Sequence, residues 1–197
     1  MSLALLLTLS RILLGPLFLI IYLYYKEMEI SLLWLPYVLL ALMAMSELSD
    51  VFDGRVARRH NKVTDLGKLL DPMADSIFRS SVLLAFTQGV IQLPLLLVCV
   101  FIYRDTIIST LRTICALRGV ALAARLTGKI KAVIQAVIGF FILILLIPYS
   151  LGCMDEASLQ QISLYSVFVG ALYTVYSALE YMYANRQHLK KALGLNS

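Results

Sequence analysis

Four aspartates stand close together in a chain that is otherwise largely apolar: Asp50, Asp53, Asp71 and Asp75, in the stretch DVFDGRVARRHNKVTDLGKLLDPMAD. The first two are three residues apart and the last two four apart, so on helices each pair shares a face. If two such faces meet, the carboxylates repel one another, and one or two hard divalent cations are the simplest relief. Mg²⁺ or Mn²⁺ suits such oxygen donors. Magnesium keeps waters and usually binds substrate phosphates too, so this pattern points to chemistry on a phosphate-bearing ligand rather than to a structural ion. Gly54 follows Asp53, Gly67 lies one helical turn before Asp71, and Ala57 carries only a methyl, so a flat ligand can approach the backbone there. Arg58 offers a forked donor for a phosphate, although orientation bias alone also places arginines in such positions. Arg55, Arg59 and Lys62 read as topology determinants and lipid headgroup contacts, and Asp65 as a solvated residue of the connection. Glu47, one turn before Asp50 on the same face, either tunes the site or pairs with a nearby base.

A second polar region lies further along. YRDTIISTLRTICALRG places Arg104, Asp105 and Arg112 inside an apolar run, and LTGKIKAVIQ places Lys129 and Lys131 at the start of the next. Arg104 and Arg112 are eight residues apart, a little over two helical turns, so both can reach one cavity from the same side. Arginines within membrane segments face a bundle interior or a polar cavity, because hydrocarbon does not solvate them. Two arginines and a lysine around one cavity suit an anionic ligand, most simply a phosphomonoester. The competing reading is that Arg104 is neutralised by Asp105 or Asp75 and serves folding alone.

The elements that must position these groups are membrane helices. Of the 197 residues, 60% are hydrophobic and only 15% charged, which excludes an ordinary soluble domain. Apolar runs of about 20 residues, enough to span a bilayer, fall near Leu3 to Tyr25, Ile30 to Leu48, Asp71 to Gly89, Leu93 to Leu117, Ile130 to Tyr149 and Ile162 to Tyr183. Each is expected to be helical, since lipid offers backbone polar groups no other partner. The fold class expected is therefore all-α, a polytopic protein with six transmembrane helices. No linker or repeat divides it, so residues 1–197 read as a single membrane-embedded domain. The first segment lacks a basic leader and a cleavage site, and reads as a retained helix.

Lysine and arginine set the orientation. They gather after the second run (Arg55, Arg58, Arg59, Lys62, Lys68), after the fourth (Arg118, Arg125, Lys129, Lys131) and in the tail (Arg186, Lys190, Lys191). In the other three connections Lys26 is the single base. Both termini and the aspartate cluster are therefore expected on the cytoplasmic side. Cys99, Cys115 and Cys153 form no CxxC and read as small hydrophobes. His60 and His188 read as solvated, and the tyrosines as interface anchors rather than a base-stacking surface, so nucleic acid binding is not expected.

Asp50, Asp53, Gly54, Ala57, Arg58, Gly67, Asp71 and Asp75 together match the pattern D-x2-D-G-x2-A-R-x8-G-x3-D-x3-D at every specified position. That pattern resembles the signature of the CDP-alcohol phosphatidyltransferase family. The resemblance implies a six-helix, usually dimeric membrane enzyme that moves a phosphatidyl group from a CDP-linked lipid to an alcohol and releases CMP. It also implies that Asp50, Asp53 and Asp71 bind a pair of metal ions, and that Asp75, also near the metals, is the general base. Gly54, Ala57, Arg58 and Gly67, with Asp50, would line the CDP site. The segment with Arg104, Leu111, Arg112, Gly128, Lys129, Lys131 and Gln135, and the later Glu180, Tyr181 and Arg186, resemble the bacterial branch whose acceptor is sn-glycerol 3-phosphate.

From that likeness, Arg104, Arg112 and Lys129 would hold the acceptor phosphate, CDP-diacylglycerol would be the donor, and the enzyme would lie in a bacterial inner membrane. Asp105, Ala132 and Ser76 depart from the branch, which usually has glutamate, threonine and lysine there. Near the N-terminus Thr8, Arg11 and Pro16 keep part of a family pattern whose Pro-Asn pair is replaced by Ala4 and Leu5. An inositol phosphate acceptor is the alternative within the family. A divalent-cation channel or transporter is the alternative from a different class, disfavoured because the aspartates cluster at one side with no acidic site deeper along a path.

Overall fold

The computed structural model describes residues 3–60, 65–117, 119 and 125–187, and within these the side chains of 3–8 and 50–72 are not described. Six helices and no strands occur among the described residues: α1 (Leu3–Tyr24), α2 (Leu35–His60), α3 (Asp65–Ala85), α4 (Leu95–Leu117), α5 (Leu126–Ser150) and α6 (Glu156–Ala184). Among the described side chains, α5 and α6 are long and apolar enough to cross a membrane by length and composition, and Leu9–Tyr24 and Leu35–Ser49 are the apolar parts of α1 and α2 within that set.

The helices follow the expected apolar runs, with instructive differences. α2 starts at Leu35 rather than Ile30, because the chain from Tyr25 to Trp34 makes turns, with Glu29 at φ 57° where no helix can continue. At its other end α2 does not stop with the apolar run but continues to His60, so Arg55, Arg58 and Arg59 are helical rather than part of a connection. α3 likewise begins early, at Asp65, which places Asp65 and Lys68 on that helix. Polarity ends a membrane run; it does not end a helix in residues that favour one. Lys62 and His188 lie outside the described residues. α6 starts where Asp155 caps it, accepting from the Ser158 backbone N–H at 3.0 Å and from its hydroxyl at 2.7 Å.

Packing is organised around α1, which lies most extensively against α3 and also against α2; α5 pairs with α6, α4 with α6, and α2 with α5. Phe18 of α1 meets Phe78 and Phe86 of the α3 region edge-on, with ring centroids 6.2 Å apart in each pair, and Tyr22 meets Phe86 at 5.8 Å. Tyr22 also donates to the Gln88 carbonyl at 3.0 Å, closing the turn that Gly89 makes at φ +68°. Outside this core, α4, α5 and α6 present exposed Leu96, Val133, Val137, Val169, Leu172 and Leu179. Such apolar faces are a liability in water and ordinary against lipid.

Where lipid replaces water, helix association rests on close packing rather than on hydrophobic transfer. Gly15 is one such contact: a Cβ there would stand 2.9 Å from Ser81 Oγ and 3.4 Å from the Phe78 Cα. Because one of the obstacles is backbone, Gly15→Val should push α1 off α3 and cost about 1–3 kcal/mol. At Gly139 a Cβ would stand 2.6 Å from Met43 Cε, the end of a flexible side chain that can move away, with Val82 Cγ1 at an ordinary contact distance of 3.7 Å. Thermal unfolding in detergent should therefore fall clearly for Gly15→Val and much less for Gly139→Ala; equal shifts would contradict the close approach.

Candidate active site

The aspartate stretch lies on two helices. α2 carries Asp50, Asp53, Gly54, Ala57 and Arg58, and α3 carries Gly67, Asp71 and Asp75. Since the backbone is helical through both, the pair three apart and the pair four apart each occupy one face, as the spacing predicts. Of these eight residues Asp75 alone has a described side chain.

Asp75 is held by two arginines. Arg11 of α1 donates through Nη1 to Asp75 Oδ1, and Arg79, one turn along α3, brings Nη2 to 3.3 Å from Oδ2. Arg11 is 1% exposed, so α1 and α3 are joined by an ion pair within their packed interface. Arg79 Nε lies 3.9 Å from Glu47 Oε1 of α2. Glu47 thus pairs with a nearby base, one of its two expected roles.

Beside Asp75 opens a cavity of about 400 Å³, within the range of small-molecule sites. Its walls carry Asp75, Ser76 and Arg79 from α3, Arg104, Asp105 and Arg112 from α4, and Gly128 and Lys131 from α5. Arg104 and Arg112 do reach one cavity, as their eight-residue spacing predicts. Among the described residues four cationic side chains face two carboxylates there, an excess of two positive charges.

The four cations are not equivalent. Lys131, 3% exposed, donates to both oxygens of Asp105 at 2.9 and 2.8 Å and to Gln135 Oε1 at 2.6 Å. Arg104 pairs with Asp105 Oδ1 at 3.0 Å and donates to Ser177 Oγ of α6 at 2.9 Å. Gly128 leaves room for it: a Cβ there would stand 3.3 Å from Arg104 Nη2. Asp105 therefore neutralises Arg104, as the folding reading expects, while Arg104 still lines the cavity. Arg112 has no ion pair among the described residues. Lys129 is exposed and absent from the cavity wall, where Lys131 stands instead. Near the start of α5, Arg125 reaches Glu180 Oε1 at 2.5 Å and Thr127 donates to Glu180 Oε2 at 2.8 Å, fastening α5 to α6.

Two residues of this site lacked a role in the sequence reading. Arg79 carried a usable signal, a base four residues after Asp75 in the apolar run SIFRSSVLLA. Arg11 carried a similar one, a lone arginine within an apolar helix, whose partner only the tertiary fold supplies.

A profile for the CDP-alcohol phosphatidyltransferase family matches residues 1–176. The chain belongs to that family. Among curated relatives, the CDP-diacylglycerol--glycerol-3-phosphate 3-phosphatidyltransferase of Bacillus subtilis (strain 168) is 33% identical over 189 residues, covering 93% of this chain and 94% of the relative. Proteins of the same name from Escherichia coli (strain K12) and Shigella flexneri are each 28% identical over 190 residues, with the same coverage. In this CDP-alcohol phosphatidyltransferase the chemistry of the donor set fits a hard divalent cation: four carboxylates, in pairs, on one face each of two helices. Among the described side chains no group of three or more His, Cys, Asp or Glu gathers; three of the four aspartates fall outside that set.

Proposed function

We propose that this phosphatidyltransferase transfers the phosphatidyl group of CDP-diacylglycerol to sn-glycerol 3-phosphate, giving phosphatidylglycerol phosphate and CMP. The observation that carries the proposal is the cavity that sets Asp75 among Arg79, Arg104, Arg112 and Lys131. A positively charged pocket beside a carboxylate suits an acceptor that is both an anion and an alcohol. The names of the relatives support the same pair of substrates.

Asp50, Asp53, Asp71 and Asp75 would hold Mg²⁺ or Mn²⁺, two ions in all, and Gly54, Ala57, Arg58 and Gly67, with Asp50, the CDP moiety. When bound, the ions supply charge neutralisation on the pyrophosphate oxygens. The chain's own part is positional. Arg112, with Arg104, fixes the acceptor phosphate and so aims the hydroxyl at the phosphatidyl phosphorus, while Lys129 lies outside the cavity wall. Asp75 takes the hydroxyl proton as the new P–O bond forms, and the P–O bond to CMP breaks on the opposite side. Arg11 keeps the Asp75 carboxylate in place from the closed side of the site.

We further propose six membrane-spanning helices in a bacterial inner membrane, with both termini and the site cytoplasmic, and a homodimer among membrane lipids. The apolar stretches of α1 and α2 are compatible with this: residues 3–8 of α1, LALLLT, extend its apolar sequence, and α2 continues beyond Ser49 into a polar end.

The test is CMP release by the purified protein with CDP-diacylglycerol and Mg²⁺ or Mn²⁺, offering glycerol 3-phosphate, inositol 1-phosphate, free inositol or serine. Release with glycerol 3-phosphate alone is expected. Release with another acceptor keeps the reaction and changes the substrate, and no release from folded protein turns the reading toward cation transport. Within the same assay Arg112→Ala should raise the KM for glycerol 3-phosphate roughly tenfold or more, because a charge-assisted pair is lost, and leave that for the lipid donor near its original value. An unchanged acceptor KM would remove Arg112 from the pocket.

A further inference from the structure

Arg79 is the cation of the cavity that neither the motif nor the acceptor segment accounts for. We infer that Arg79 is a phosphate-binding residue of the acceptor cavity, which it lines together with Arg112, and that Glu47 positions it. This rests on the acceptor reading above.

The distances set Arg79 apart from its neighbours. Lys131 and Arg104 are committed to protein partners at 2.6 to 3.0 Å. Arg79 approaches Asp75 at 3.3 Å and Glu47 at 3.9 Å, the second beyond hydrogen-bonding reach. Its Nε is buried with no hydrogen-bond partner among the described residues, and so is that of Arg104. A guanidinium carries five donors, and a buried donor left without an acceptor is unfavourable until a ligand supplies one. Arg79, with its unspent donor, and Arg112, with no ion pair among the described residues, line one cavity, an arrangement that suits an anion.

The purely structural account of Arg79 is that it neutralises Asp75. Asp75 already has Arg11, which is buried and hydrogen-bonded to it, so Arg79 adds a positive charge that Asp75 does not require and that Glu47 meets only at 3.9 Å. That surplus faces the cavity, at 15% exposure, on the same wall as Ser76. Ser76 is short and neutral, which leaves Arg79 the only cation that α3 contributes to the described cavity wall. Glu47, from α2 and outside the described cavity lining, stands 3.9 Å from the Arg79 Nε, so the guanidinium can turn to an incoming phosphate without losing all compensation.

The experiment is steady-state CMP release by the full chain, varying glycerol 3-phosphate at saturating CDP-diacylglycerol and then the reverse. Wild type is compared with Arg79→Gln, Arg79→Lys and Glu47→Gln. Arg79→Gln should raise the acceptor KM about tenfold or more, with the donor KM within about twofold, and Arg79→Lys should recover part of the loss. Glu47→Gln should raise the acceptor KM less, and combining it with Arg79→Gln should add nothing further, because both act through one guanidinium. Equal changes in both KM values, or a fall in kcat with neither moved, would leave Arg79 a structural partner of Asp75 and overturn the inference.

Thermal unfolding in the presence of glycerol 3-phosphate separates this from failure of the transferase reading. Should the wild type release no CMP, that reading falls, yet the ligand-induced rise in Tm still tests Arg79. Loss of the rise in Arg79→Gln sustains the inference. An equal rise in both proteins, or none in the wild type, overturns it.

Discussion

Asp75→Asn should lose about 10²- to 10⁴-fold in kcat, the usual contribution of a positioned general base, while CDP-diacylglycerol still binds. Asparagine keeps the shape of the side chain but cannot take up the hydroxyl proton. The structure adds a second consequence that the motif alone does not contain. Asp75 is an ion-pair partner of Arg11, and Arg11 is 1% exposed, so the amide removes this counter-charge from a buried guanidinium. Breaking a buried pair from one side costs about 3–5 kcal/mol, and the partial exposure of Asp75 brings this variant to the lower end. Rate and stability must therefore be measured together. Arg11→Gln serves as the companion variant: it disturbs the same pair and should lower Tm by a similar amount, yet it leaves the carboxylate and so should lose much less of kcat. If Asp75→Asn turns over at an ordinary rate, Asp75 is not the base. If the two variants lose rate in proportion to Tm, the carboxylate acts through the fold alone.

The relation of sequence to structure differs between the two halves of the site. On α2 and α3 the aspartates could be placed from spacing, because three- and four-residue intervals have a fixed meaning once the backbone is helical, and it is. That both arginines of α4 line one cavity was legible for the same reason. Helix ends were less so. α2 runs on to His60 because hydropathy marks where lipid ends, whereas helices end where backbone geometry or capping fails. The pairing of charges was least legible. Which base meets Glu47, which carboxylate holds Lys131, and what lies behind Asp75 depend on how α1, α2, α4 and α5 cross, and no local pattern encodes a crossing. Lys129 and Lys131 illustrate it: two residues apart on one helix turn, they point about 200° apart, so only one of them can face the cavity. The structure selects Lys131 for that wall and leaves Lys129 exposed.

The second large effect is expected at Asp105. This carboxylate is the common partner of Lys131 and Arg104, and Lys131 has no other charged partner among the described residues. Asp105→Ala leaves an ammonium at 3% exposure with Gln135 as its remaining hydrogen-bond acceptor. The loss should be about 3–5 kcal/mol, read as a fall in Tm or in the fraction of protein recovered folded from detergent. Asp105→Glu should retain most of the stability, since the longer side chain keeps the charge that both bases share. The decisive variant is the double replacement Asp105→Leu with Lys131→Met. Apolar residues of similar size remove both charges at once, so the double variant should be more stable than Asp105→Ala even though it changes more of the site. A double variant at least as unstable as the single one would mean that packing around α4 and α5, rather than the uncompensated ammonium, sets the cost. The same pair of measurements separates stability from function. Relieving Lys131 of its charge leaves Arg112 and Arg79 in the cavity, so acceptor binding should fall by less than in Arg112→Ala while the fold recovers. Asp105 then fixes the architecture in which Arg112 has no ion pair among the described residues, and this arrangement leaves the described cavity wall positive beside Asp75.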